Sequence, residues 1–419
     1  MFQNYTLHNK AQVILIPLKD SQSVTLLVMF PVGSRYETEK MNGVSHYIEH
    51  LMFKGTTKRP STLKLTREID RLGAEYNAFT SKEYTGYYIK TDVNFLETSC
   101  DILSDMLFNS LYDVKEIQRE KTVIVEEIRM YKDNPLLYID NAFEELMYRG
   151  SHLGRDIAGT EKHVMGFKRE DVLHYRDTYY QPHNMLVVAA GNVNEKTKQI
   201  VEEYFGRASN QKKASRLFDK ASYGSSVKKD RIEVHQKKTD QSQLMLGFPG
   251  FNHTDTRIPA LGVMNTVLGG SMSSRLFIQI RERRGLAYTI RSGAETFRDS
   301  GYVFVRAGLE AKNINKAVDV MKVEIEKICN KGIMSKELQD AKTHTRGALT
   351  LALEDSSAQA SYYAREAMFF DTIETPNDWL KKVDMVSNDD IIRVAREVFD
   401  FNKIRVAVIG DIDAGKIKF

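Results

Sequence analysis

Cysteine is scarce in this chain of 419 residues, which contains only Cys100 and Cys329. Neither has a second cysteine close by in the sequence, so a zinc knuckle is excluded and a disulfide framework is not expected. Both fall in helix-like stretches, where a thiol commonly behaves as a small buried hydrophobe. This use of cysteine suits a reducing compartment and predicts a cytoplasmic protein.

Long apolar runs and leader-like segments are also missing. No uncharged stretch reaches the roughly 18 residues that a membrane-spanning helix needs. The first residues show neither a basic region followed by an apolar one nor an arginine-rich amphipathic pattern. The net charge of +4 is small for this length and gives no reason to expect nucleic acid or a membrane as a partner. A composition of 42% hydrophobic and 28% charged residues indicates a globular protein of two or three domains.

An internal repeat organises the chain. Residues 170–194 and 389–413 align without a gap at an offset of 219, and each reads as an amphipathic helix, a turn and an apolar strand. The same offset recurs where residues 23–37 resemble residues 242–255. The pattern predicts an α+β fold of two homologous halves of about 200 residues, each a mostly antiparallel sheet layered with helices.

The first half contains the segment HYIEH, residues 46–50, in a chain with only 10 histidines. We predict a helix here, capped by Asn42. On such a helix His46, Glu49 and His50 share one face, while apolar residues occupy the other. Two imidazoles four residues apart can bind one divalent ion, with Glu49 beside them as general base on a water bound to that ion. The alternative is a helix with two solvated histidines and an exposed glutamate.

A third metal ligand is expected from a second helix, predicted over residues 113–134. Glu120 and Glu127 lie on one stripe of this helix, although such a stripe is often a solvated surface. Glu126 lies about 100° around the helix from Glu127. Periodicity only mildly disfavours Glu126, so both carboxylates remain open as the third ligand.

These residues resemble the M16 metallopeptidases, the inverzincins, and most closely the subgroup of the mitochondrial processing peptidase β subunit and its bacterial relatives. In that family HxxEH is followed by a glutamate at a spacing that Glu127 matches, 77 residues after His50, and by another seven residues earlier, here Glu120. The resemblance implies that His46, His50 and Glu127 bind one zinc ion per chain and that Glu120 supports the site. It also implies a processing-peptidase-like metallohydrolase fold over nearly the whole chain.

Two further segments match signatures of this family. Residues 73–88 resemble the segment whose edge strand pairs with an extended substrate, and Asn77 and Ala78 are the matching positions. An ordinary hairpin is the alternative there. A stretch of the second half resembles the family's arginine and tyrosine pair, which implies that Arg281 and Tyr288 bind substrate carbonyls and that Tyr288 helps to stabilise the oxyanion.

The repeat and the motifs together divide the chain. Residues 1–205 are expected to form an N-terminal zinc-binding catalytic domain, and residues 206–231, rich in serine, lysine and glycine, a linker. Residues 232–419 are expected to form a homologous C-terminal domain that lacks the zinc site and carries the Arg281/Tyr288 pair. The resemblance implies a closed chamber made by two chains, and we therefore expect a homodimer in which this pair acts in trans.

The functional prediction is a zinc-dependent endopeptidase that hydrolyses peptide bonds in extended peptides or unfolded segments within the chamber, with a zinc-bound water activated by Glu49. The alternative is a non-catalytic peptide-binding protein, or a partner subunit of a heteromeric peptidase, because a duplicated fold does not by itself imply catalysis. The presence of the complete residue set favours the enzyme.

Overall fold

The computed structural model describes residues 2–209, 218–225 and 227–418, so residues 210–217 and 226 of the predicted linker lie outside the described residues. The chain divides into two compact units. The first unit consists of Met1–Arg129, Arg155–Phe218 and Leu351–Ile373, and the second of Met130–Gly154, Asp219–Thr350 and Glu374–Phe419. Each half of the duplicated sequence therefore contributes one segment to the unit that is built mainly from the other half.

The described residues of each unit form one sheet. The strands are β1 (Gln3–Thr6), β2 (Gln12–Pro17), β3 (Ser23–Phe30), β4 (Glu75–Thr80), β5 (Thr85–Asp92), β6 (Leu186–Gly191), β7 (Ile232–Gln236), β8 (Ser242–Pro249), β9 (Ala287–Thr296), β10 (Gly301–Leu309) and β11 (Arg405–Gly410). The order is β1-β2-β6-β3-β5-β4 in the first unit and β7-β11-β8-β10-β9 in the second. Only β2 with β6 and β7 with β11 run parallel, and the remaining pairs of neighbours are antiparallel.

The two sheets correspond strand by strand, apart from the additional β1 of the first. Strands β3 and β8 begin 219 residues apart, as do β6 and β11. Both β6 and β11 are buried along their whole length, as their largely apolar sequences predict. This arrangement confirms the predicted α+β fold of two homologous halves with mostly antiparallel sheets.

Helices cover both sheets. They are α1 (Val44–Met52), α2 (Thr62–Asp70), α3 (Leu96–Asn109), α4 (Val114–Asp133), α5 (Pro135–Met147), α6 (Glu161–Gly166), α7 (Arg169–Tyr179), α8 (Glu195–Phe205), α9 (Ile258–Gly269), α10 (Ile314–Lys331), α11 (Ser335–Ala352), α12 (Ser356–Phe369), α13 (Pro376–Met385) and α14 (Asn388–Val398). None of the helices in the described ranges combines the length and apolarity needed to cross a membrane.

Each segment contributed from the opposite half includes one complete α-helix. In the first unit, α12 packs Ala360, Tyr363 and Ala364 against apolar side chains of β2, β3 and β6. In the second unit, α5 packs Ile139 and Phe143 among side chains of β8 and β11. The other face of the first sheet packs against α1, α3 and α4 in a separate apolar core. Because alternate strand residues are buried on opposite faces, both faces of this sheet are covered.

Candidate metal centre

Helix α1 has one apolar face and one polar face. Tyr47, Ile48 and Leu51 are buried in the core of the first unit, whereas His46, Glu49 and His50 are only partly buried. This separation follows from the helical period, which places the two kinds of residue on different sides. The predicted face is therefore present, and packing of the apolar side fixes the direction in which the polar side points.

The beginning of α1 differs from the sequence prediction, because Gly43 is the N-cap and Asn42 is not. Two backbone N–H groups at the start of the helix, which have no acceptor within it, donate to the Glu37 carboxylate, from Gly43 N at 2.7 Å and from Ser45 N at 2.8 Å. Glu37 is fully buried, and burial raises its pKa to about 7 although these hydrogen bonds oppose the shift. Gly43 has φ +99°, and a side chain there would lie 2.5 Å from the carbonyl oxygen of Ala158.

Helix α4 brings the second set of carboxylates. Its first turn is capped by Asp113, whose carboxylate accepts from Lys115 N at 2.8 Å. Glu120 is buried, and the Glu127 side chain is 28% exposed. The side chain of Glu126 is 64% exposed and lies 2.8 Å from Arg129. Periodicity left both Glu126 and Glu127 open as the third ligand. In the structure Glu127 faces α1, whereas Glu126 contacts Arg129.

Three side chains from these two helices converge. Glu127 Oε2 lies 3.4 Å from His50 Nε2 and 3.8 Å from His46 Nε2. One ligand atom from each of the three residues lies within 4.8 Å of the other two. Among the described residues, these three form the group that could hold a metal ion. A tetrahedral zinc ion holds nitrogen and oxygen ligands at about 2.0–2.1 Å, which places neighbouring ligand atoms about 3.3 Å apart. Two imidazoles and one carboxylate at these separations fit zinc and leave a fourth position open.

The surroundings shift the pKa of each residue in this group, and in different directions. Burial and the neighbouring His50 lower the pKa of His46 to about 4, so this imidazole is neutral, as a metal ligand must be. Burial also disfavours the charged form of His50, but its contacts with Glu120 and Glu127 outweigh that effect and raise its pKa to about 9. The contact with His50 lowers the pKa of Glu127, which is therefore ionised.

Glu120 lies behind His50. Its Oε1 is 2.8 Å from His50 Nδ1, and its Oε2 is 2.8 Å from Lys54 Nζ. Carboxylates that bind the second nitrogen of a ligating histidine fix the orientation of the ring. Sequence reasoning missed Lys54, although it follows His50 by four residues and so lies on the same side of the helix.

Glu49 lies beside the histidines and is held by a different contact. Its Oε2 accepts a hydrogen bond from Thr80 Oγ1 at 2.6 Å. Burial raises the pKa of Glu49, and the hydrogen bond from Thr80 partly opposes that shift. Thr80 belongs to β4, so no helical periodicity links it to Glu49, and sequence reasoning missed it.

The other predicted site residues occupy two places. Asn77 and Ala78 lie on β4, the last strand in the order of the first sheet, and Asn77 Oδ1 accepts from Ala78 N at 2.9 Å. In the second unit, Arg281 lies in a π-helical turn (Phe277–Glu282) and Tyr288 near the start of β9. The Arg281 guanidinium carbon is 5.4 Å from the centre of the Tyr288 ring, so these two side chains are neighbours.

Two family profiles match the chain. Residues 12–161 match the profile described as insulinase, peptidase family M16, and residues 166–344 match the profile described as peptidase M16 inactive domain. The first matched stretch includes His46, His50 and Glu127, and the second includes none of these three residues.

Individual proteins are similar over nearly the whole chain. The uncharacterized zinc protease YmxG of Bacillus subtilis is 33% identical over 405 residues, which cover 95% of this chain and 96% of the relative. The uncharacterized zinc protease SCO5738 of Streptomyces coelicolor is 34% identical and covers 97% of this chain and 89% of the relative. A solved protease from Helicobacter pylori shares the fold with a TM-score of 0.91 at 22% identity, over 98% of this chain and 99% of that chain. The matches confirm the resemblance: the chain belongs to peptidase family M16.

Proposed function

We propose that this chain is a zinc-dependent endopeptidase that hydrolyses peptide bonds in extended peptides or unfolded segments. The observation that carries the proposal is the convergence of His46, His50 and Glu127, with the carboxylate of Glu49 on the same side of α1. The names of the relatives in Bacillus subtilis and Streptomyces coelicolor, both zinc proteases, support the same metal and the same class of reaction.

The chemistry requires a base near the reacting water. His46, His50 and Glu127 would hold the zinc ion, which would supply Lewis acidity and lower the pKa of water to about 7. Glu49 accepts the proton of the attacking water as the water oxygen bonds to the scissile carbonyl carbon. Glu49 then donates this proton to the leaving amine while the C–N bond breaks, so one water is consumed and a carboxylic acid and an amine are formed, which ionise to carboxylate and ammonium at neutral pH. The raised pKa of Glu49 suits a group that both takes and returns a proton.

Strand β4 supplies a surface for the substrate backbone. It is the terminal strand of the first sheet, and its last residue, Thr80, contacts Glu49. An extended peptide that adds to such an edge is held mainly by main-chain hydrogen bonds, with little regard to its sequence. We assign this role to the backbone around Asn77 and Ala78, which precede Thr80 on the same strand.

The proposal includes a homodimer with a closed chamber, in which Arg281 and Tyr288 of a second copy bind the substrate in trans. Tyr288 is 66% exposed, and its neighbour Arg281 can offer guanidinium N–H groups to a carbonyl oxygen. The proposal also retains the cytoplasmic location, which is consistent with Cys100 and Cys329 both being free.

A non-catalytic peptide-binding or partner subunit is the second candidate, because residues 166–344 match a profile named for an inactive domain. The metal group lies outside that stretch, which favours the enzyme. The two candidates differ in what Glu49 does: the first needs its carboxylate as a base, and the second does not.

The test compares purified wild-type protein with Glu49→Gln. Metal content is measured by mass spectrometry, and hydrolysis by cleavage of a quenched fluorescent peptide. We expect one zinc per chain in both proteins and a rate about 10²–10⁴-fold lower in the variant. Full activity of Glu49→Gln would remove Glu49 as the base. Zinc-loaded wild-type protein that binds the peptide without cleaving it would support the second candidate.

A further inference from the structure

Thr80 makes a short contact with the proposed base. The hydroxyl donates to Glu49, with 2.6 Å between Thr80 Oγ1 and Glu49 Oε2, and both side chains are partly buried. A hydrogen bond to an ionised carboxylate is stronger and more directional than one between neutral groups. The contact therefore restricts rotation of the Glu49 carboxylate and presents its other oxygen in a defined direction.

The backbone at Thr80 is itself held in place. Thr80 ends β4 and pairs with Thr85 on β5. The turn between them is closed by a hydrogen bond of 2.8 Å from Ser81 N to the Tyr84 carbonyl. The Thr85 hydroxyl donates to the carbonyl of Val32 at 2.9 Å. Because these contacts fix the end of the strand, the hydroxyl of Thr80 approaches α1 from a constant position.

The other partner is fixed equally well. Glu49 lies in α1, whose first turn is bound by the buried carboxylate of Glu37 and whose apolar side is packed in the core. A side chain that bridges two rigid elements can set the geometry of a reacting group, and misplacement by about 1 Å can reduce a rate about 100-fold.

We infer that Thr80 is a positioning residue that holds the Glu49 carboxylate in the orientation needed for proton transfer. The inference rests on the proposed function, in which Glu49 is the base. It also assigns a second role to β4: the strand proposed to bind the peptide, through Asn77 and Ala78, also orients the group that acts on it. Thr80 acts through Glu49, and its hydroxyl needs no contact with the substrate.

The test uses three substitutions in the full chain. Thr80→Val keeps the shape of the side chain but replaces the hydroxyl with a methyl group. Thr80→Ala removes the hydroxyl and puts no other group in its place. Thr80→Ser retains the hydroxyl. Thr66→Val is the matched control, because it removes a threonine hydroxyl that donates to the Thr62 carbonyl within α2. For each protein kcat, KM, zinc content and melting temperature are measured with the same quenched peptide.

We expect kcat to fall about 10- to 100-fold in Thr80→Val and Thr80→Ala, with KM within about twofold of wild type and full zinc content. Thr80→Ser and Thr66→Val should stay close to wild-type kcat. Unchanged kcat in Thr80→Ala would overturn the inference, as would an equal loss in Thr80→Ser or a change confined to KM. Glu49→Gln, measured in parallel, distinguishes failure of the proposed function from failure of the role of Thr80. An active Glu49→Gln would contradict the proposed function. An inactive Glu49→Gln together with a fully active Thr80→Ala would contradict only the role of Thr80.

Discussion

His50 Nδ1 lies 2.8 Å from Glu120 Oε1, and this contact determines which nitrogen of the ring is offered to Glu127. Glu120 is buried, and its other oxygen lies 2.8 Å from Lys54 Nζ, so the carboxylate has a fixed position. The ring of His50 is therefore oriented by residues that do not belong to the metal group. Preorganisation of this kind lowers the entropic cost of assembling the site.

We predict that Glu120→Gln weakens zinc binding without abolishing it. A neutral amide binds the His50 ring less strongly than a carboxylate does, and the loss of such a partner commonly reduces metal affinity about 10- to 100-fold. Competition with a chromogenic chelator measures the affinity. Glu126→Gln on the same helix serves as the control and should bind zinc like wild type. Equal affinities for Glu120→Gln and wild type would contradict the orienting role.

The adjacent carboxylates on α4 provide a matched pair of substitutions. Glu127→Gln should lose zinc during dialysis and hydrolyse no peptide, because it removes the anionic ligand facing the two histidines. Glu126→Gln should retain both properties, because its side chain contacts Arg129. Metal analysis after dialysis distinguishes the two variants. The opposite result would assign the third ligand to Glu126.

Zinc binding at neutral pH should release about one proton per ion. In the metal-free protein the pKa of His50 is raised to about 9, so its ring is protonated at pH 7, whereas His46 is neutral. A histidine must lose its proton to bind a metal, so the apparent zinc affinity should rise about tenfold per pH unit up to about pH 9 and then level off. Titration calorimetry in buffers of different ionisation enthalpy measures the protons released. A binding heat that is the same in every buffer would refute this prediction.

The proposed sharing of Arg281 and Tyr288 between two chains predicts complementation. A mixed dimer of His50→Ala and Arg281→Ala chains should contain one intact combination of zinc half and Arg281/Tyr288 half, and should regain about half of the wild-type activity. The control pairs His50→Ala with Glu49→Gln, which damages both zinc halves and should restore nothing. Doubly tagged mixed dimers allow the measurement. Inactive His50→Ala/Arg281→Ala dimers would show that the pair does not act across subunits.

Features that depend on local periodicity or on the repeat were predictable from the sequence. Strands β3 and β8 begin 219 residues apart because the same apolar pattern occurs twice. The polar face of α1 follows directly from the spacing of His46, Glu49 and His50. Periodicity did not decide between Glu126 and Glu127 as the third ligand. A helical pattern predicts that the two side chains point in different directions, but it does not say which of them faces α1. The choice depends on which neighbour each carboxylate meets in the folded chain.

Other features depend on tertiary contacts that helical or strand periodicity does not report. Glu37 binds the first turn of α1 from a preceding loop, so the usual search for a cap immediately before the helix selected Asn42 instead. Thr80 reaches Glu49 from a strand, across 31 residues of sequence. The contribution of α5 and α12 to opposite units is likewise invisible to periodicity, because their apolar faces do not identify the sheet they cover.

The placement of α12 has a consequence for how the protein is made. Residues of β2, β3 and β6 leave the ribosome early, but the helix that covers one face of these strands ends only at Phe369. Until that point in synthesis the apolar face lacks the cover that α12 provides, and exposed apolar surface of this kind promotes aggregation. The first unit cannot complete this core until most of the polypeptide has emerged, so protection of the nascent chain before that point should affect the yield of folded protein.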